Sequence, residues 1–87
     1  MLKERLVAAE RIAAELHDAQ HGVDQAIVKI AQLAATLPIA RIDTKMSAIV
    51  GQEAVAKVTQ AVAAAGQVRQ MMTEAHQALG ETQRQVG

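Results

Sequence analysis

The chain contains no cysteine, phenylalanine, tyrosine or tryptophan, and it has one proline and one serine. Without cysteine, neither a disulfide nor a thiolate zinc site can supplement a small core. Without aromatic rings, a single-stranded nucleic acid finds no surface on which to stack its bases. Three histidines and a lone serine, with no thiol or phenol, supply no convergent set of acid, base and nucleophile, so no enzyme and no cofactor is expected. Excess charge of either sign is also missing, since nine basic residues balance nine acidic ones. Residues 1–37 carry four basic and five acidic groups, 38–47 two and one, and 48–87 three and three. No segment has the basic surplus that phosphates or anionic lipids require, so neither nucleic acid nor membrane is expected as a partner. No run approaches the roughly 18 apolar residues of a span, and Glu4, Glu10 and Glu15 interrupt what would be the apolar core of a signal peptide. A soluble, cytoplasmic protein is the expectation.

What remains is Ala, Val, Ile, Leu and Met, which with no aromatics make up 51% of 87 residues. Leu2, Leu6, Ala9, Ala13, Leu16, Gln20, Val23, Ile27, Ile30, Ala34 and Leu37 alternate at spacings of four and three, the seam of an amphipathic helix. A further row, Ile12, Ala19, Ala26 and Leu33, widens the stripe and predicts neighbours on more than one side. An unbroken helix to Leu37 would be about 54 Å long at about 1.5 Å per residue. Gly22 interrupts neither the seam nor its phase, so the helix is expected to pass it continuous or mildly kinked. A second seam runs through Ala54, Val58, Ala61, Ala65, Val68, Met72, Ala75, Leu79, Thr82 and Val86, with Val55 and Val62 on its flank. Its many alanines allow close helix approach, and Gly66 suits the same contact. Gly51 is a second place for a kink, and Gly80 is where a tail of residues 81–87 is expected to fray.

Between the seams, Pro38 lacks the N–H that a continuing helix uses and biases Leu37 away from helical angles. The first helix is therefore expected over residues 2–37, a turn over 38–46 and a second helix over 47–80, with Asp43, Thr44 or Ser47 as its cap. The turn is unusually apolar. Leu37, Ile39, Ile42, Met46, Ile49 and Val50 gather where a two-helix hairpin has little core to hide them. They form either a docking patch for another protein or a hydrophobic plug at the bundle's end.

Three smaller constellations compete with that patch. His17 and His21 lie one helical turn apart with Asp24 beside them, a spacing that lets two imidazoles reach one metal ion. With the turn near residue 41, His76 falls opposite residue 6, about 16 Å along the axis from His17, so it does not complete such a site. A solvated histidine pair is the expected reading. Gly22-Val23-Asp24-Gln25-Ala26-Ile27-Val28-Lys29 resembles the turn and recognition-helix start of helix-turn-helix DNA binders, which implies a small DNA-binding regulator. His21 and Asp18 depart from that pattern, and Lys29 is its only cation. Thr36, Arg41, Thr44 and Lys45 could hold an anion at the start of the second helix. Met71 lies off the seam and suits an interface, while Arg69 and His76 are expected to reach solvent.

The chain thus reads as all-α, an antiparallel helical hairpin of two long amphipathic helices that associates into a dimer or larger bundle. Leu16, Gln20, Val23, Ile27, Ile30, Val58, Val62, Val68, Met72 and Leu79 form the oligomer seam, and the apolar turn docks another protein. The expected role is a structural or interaction module, a subunit or adaptor in a bacterial or phage multiprotein assembly. A helix-turn-helix regulator and a peripheral lipid-surface protein are the alternatives.

Overall fold

The structure, a computed structural model, describes residues 1–86, the side chain of Val86 excepted; Gly87 lies outside the described residues. Helix α1 spans Leu2–Asp43 and helix α2 spans Gln52–Val86. They lie against each other along their length as an all-α hairpin. Its extents are 66 × 16 × 11 Å, with a radius of gyration of 19.7 Å, where a compact domain of this length would measure about 12 Å. Two rods side by side cannot enclose anything, and no described residue is fully buried.

On α1 the half-buried residues as far as Leu37 all belong to the predicted seam, Ala9, Leu16, Gln20, Val23, Ile27, Ile30, Ala34 and Leu37, whereas its Leu2, Leu6 and Ala13 are exposed. Gly22 sits inside the continuous helix. On α2 the contact line runs through Val55, Val58, Val62, Ala65, Met72 and Ala75, all half-buried. The seam has turned toward Val55 and Val62, leaving Ala54, Ala61 and Val68 exposed. The valines explain the rotation, since a branched side chain removes more apolar surface from water than a methyl group does. Gly66 is not part of a tight contact within the chain, because a Cβ there would meet nothing within 4 Å.

The turn differs more. α1 does not stop at Leu37 but carries Pro38 inside it and ends six residues later. Proline deprives the Ala34 carbonyl of its donor, yet the extra turn keeps Leu37, Pro38 and Arg41 half-buried against α2. Arg41 also places a cation in the last turn, where helix carbonyls are unpaired. The end is closed by the Lys45 N–H donating to Ile42 O and the Met46 N–H to Arg41 O, each at 3.1 Å. These two bonds make a Schellman closure, which needs a left-handed residue between helix and exit. Lys45 takes that conformation with φ 56°, a strain that glycine would not carry.

Residues 44–51 then form the connection. None of Asp43, Thr44 and Ser47 caps α2. Its first bond, Val55 N–H to Gly51 O at 3.0 Å, makes Gly51 the cap, at a φ of 74° that only glycine adopts freely. Gly51 therefore ends the turn and does not kink the helix. At the other end α2 continues through Gly80 to Val86.

Lys45→Gly is expected to stabilise the chain by about 1 kcal/mol, the usual cost of a left-handed lysine, and to raise the melting midpoint by about 5 °C. Lys45→Ala, which keeps the strain, should leave the midpoint where it was in the same thermal scan.

Candidate functional site

The tip of the hairpin leaves a group of large apolar side chains in water. Ile49 is 78% exposed and Ile42 66%, with Ile39, Met46 and Val50 about half exposed. The Schellman closure turns the chain sharply at Lys45, and two further turns, Val50 N–H to Ser47 O and Gln52 N–H to Ile49 O, both at 3.2 Å, return it to α2. Each backbone group paired locally fixes the loop without covering it. Among the described residues no other part of the chain folds over these side chains, so within one molecule they do not plug the bundle. Leu37, predicted with them, is half-buried against α2 instead.

The residues expected at an oligomer seam are mostly spent inside the hairpin. Leu16, Gln20, Val23, Ile27, Ile30, Val58, Val62 and Met72 are half-buried between α1 and α2, while Val68 and Leu79 are 41% and 38% exposed. A different strip remains open. Ile12 and Leu33 on α1 are 46% and 49% exposed, and Met71 on α2 is 58% exposed.

On the polar side, the Arg69 Nε donates to Asp24 Oδ1 at 2.7 Å, the one ion pair between the helices among the described residues. Arg69 reaches solvent as expected and is paired as well. Both partners are more than half exposed, which limits the pair to about 1 kcal/mol or less. Its value is positional. With Asp24 level with Arg69, His76 comes level with His17, because the turn lies later in the chain than the proline predicted. The two histidines line one open cleft of about 510 Å³ with Leu6, Ile12, Leu16 and Leu79. His17, Gln20, His21, Asp24, Arg69 and Thr73 line a polar groove of about 290 Å³ beside it. Even so, no group of three or more histidine, aspartate or glutamate side chains among the described residues is placed to hold a metal ion.

The predicted anion site does not form. Arg41, Thr44 and Lys45 sit at the carbonyl end of α1, with the Thr44 hydroxyl donating to Ala40 O at 2.8 Å and the Thr36 hydroxyl to Gln32 O at 2.9 Å. That end of a helix attracts cations and repels anions. The helix break at Gly22 that a helix-turn-helix would need is likewise not there.

The expectation that no segment is apolar enough to span a membrane is corrected for α1, which by length and composition is long and apolar enough to do so, with a mean hydropathy of 1.2 over 18 residues. The continuation through Pro38 joins Ile39 and Ala40 to the seam, and the apolar residues occupy the flanks as well as the contact line. Comparison of the chain with protein-family models, with curated proteins and with solved structures finds no match.

Proposed function

We propose that the protein is a non-enzymatic structural and interaction module, a hairpin that associates with copies of itself and docks another protein through its apolar tip. A subunit or adaptor of a bacterial or phage multiprotein assembly fits this description. The observation that carries the reading is the cluster of Ile39, Ile42, Met46, Ile49 and Val50 left in water on a locally closed loop. Apolar side chains grouped in this way at a surface mark interaction sites. Hot spots of binding also favour such rigidly presented side chains, whose ordering cost is already met.

The test is the double variant Ile39→Ser with Ile42→Ser, compared with the unaltered chain for capture of the partner and for thermal stability. Capture should be lost while stability stays within about 1 kcal/mol, as for other exposed positions. A collapse of the melting midpoint, with capture falling in proportion, would mean that the isoleucines hold the hairpin together and would overturn the docking role.

A further inference from the structure

We infer that the hairpin pairs with a second copy of itself face to face and head to tail, through the flank bearing Ile12 and Leu33 on α1 and Val68 on α2. The inference rests on the self-association proposed above and adds to it the face, the direction and the register.

The ion pair identifies the two sides of the hairpin. In an antiparallel helix pair, the row just after the contact line on one helix lies on the same side as the row just after it on the other. His17 and Asp24 follow Leu16 and Val23, Thr73 follows Met72, and all three line the polar groove. The rows just before the contact lines must then share the opposite side. On α1 that row is Ile12, Ala19, Ala26 and Leu33; on α2 it is Ala54, Ala61, Val68 and Ala75. Seven of the eight are exposed, and Ala75 is half-buried. A single flank of the hairpin is thus apolar over most of its length, with Lys29 and Glu15, which accepts from Arg11 Nε at 3.3 Å, on its α1 rim.

Area supports a large partner. The chain exposes 6940 Å², whereas a compact chain of 9.2 kDa would expose about 4900 Å². The excess of roughly 2000 Å² is more than the roughly 800 Å² that each partner contributes to a standard interface. The flank can supply it because its small side chains allow helix axes to approach within about 8 Å.

The pattern on the flank is self-complementary when read backwards. With a two-fold axis passing Gly22 on α1 and Met71 on α2, Ile12 meets Leu33 of the second copy and Ala19 meets its Ala26. On α2, Val68 meets Ala75. Glu15 meets Lys29 on the rim, and by symmetry each such contact occurs twice. In the parallel alternative, α1 lies over α2 of the second copy, and Glu15 and Lys29 would face Ala78 and Ala64 with no opposite charge. The head-to-tail arrangement is therefore the one that pairs large with large at the ends, small with small between them, and acid with base along the edge.

The absence of native cysteine makes the test direct. Single variants Gly22→Cys, Met71→Cys and Ser47→Cys are oxidised at micromolar concentration, with circular dichroism to verify helicity and light scattering to give the mass before oxidation. A disulfide needs Cα atoms within about 7 Å. The expected result is a dimeric mass, covalent dimers from Gly22→Cys and Met71→Cys, and none from Ser47→Cys, whose two copies lie at opposite ends. Glu15→Lys should weaken the dimer at least tenfold at low salt, and adding Lys29→Glu should restore it. Linkage through Ser47→Cys alone would overturn the head-to-tail direction. A dimeric mass with linkage at none of the three would overturn this face but leave self-association standing. A monomeric mass for the unaltered chain would overturn both.

Discussion

Replacing Pro38 with alanine should raise the melting midpoint by about 10 °C. Proline inside a helix is about 3 kcal/mol less favourable than alanine, because it removes one backbone hydrogen bond and crowds the carbonyl four residues earlier. Part of the gain is returned, since the half-buried ring gives up apolar contact with α2. About 2 kcal/mol should remain, at roughly 4–8 °C per kcal/mol for a chain of this size. The far-ultraviolet ellipticity separates two explanations. If α1 already runs to Asp43, helicity stays constant while the midpoint rises. If the helix instead stopped at Leu37, the substitution would add a further turn of helix and the ellipticity would deepen. An unchanged midpoint would show that the ring's contact with α2 offsets the whole backbone cost.

The same proline explains why the turn was misplaced from the sequence while the helices were not. A seven-residue pattern is written many times over, so one polar intruder such as Gln20 does not obscure it, and from Leu16 to Leu37 the α1 seam is where the period put it. A turn is written once. Pro38 disfavours helix by a few kcal/mol, but Leu37 and Arg41 continue the contact with α2, and the closure at Lys45 and Met46 pairs the helix's last carbonyls. Those contributions are invisible to a rule about one residue. The start of α2 was carried by Gly51, which reads from sequence as a kink but whose positive φ makes it the exit of the turn. Moving the turn slides α2 along α1, which brings His76 beside His17 and Arg69 beside Asp24. No property of those residues taken singly could reveal that register. The facing of α2 was likewise ambiguous, because Ala54 and Val55, or Ala61 and Val62, are adjacent apolar residues and only the larger member of each pair decides which turns inward. The tip was legible as a patch since apolar residues in a turn are conspicuous wherever its ends fall.

The proposed pairing has a thermodynamic consequence that a solitary hairpin would not show, which is a melting midpoint that depends on concentration. For a folded dimer that separates as it unfolds, each molecule is stabilised by mass action, and a hundredfold dilution removes about 2.7 kcal/mol per dimer. Unfolding two chains of 87 residues releases roughly 0.37 kcal/mol/K of entropy at the average per-residue value. The midpoint should therefore fall by about 7 °C on dilution from about 100 μM to 1 μM. The structure gives the reason for coupling folding to association. With no described residue fully buried and the half-buried seam side chains covered from one direction only, α1 and α2 gain about half of the apolar burial that their sequence could provide, while the ordering of the backbone costs the same as in a filled core. A second molecule laid on the open flank supplies burial without ordering any more backbone in the first. Variants that spoil the flank but leave the α1–α2 contact alone, such as Ala26→Glu, should abolish the concentration dependence and leave a midpoint as low as that of the most dilute parent sample. A midpoint that stays fixed across the hundredfold range in the parent chain would mean that the two helices stand without a second copy.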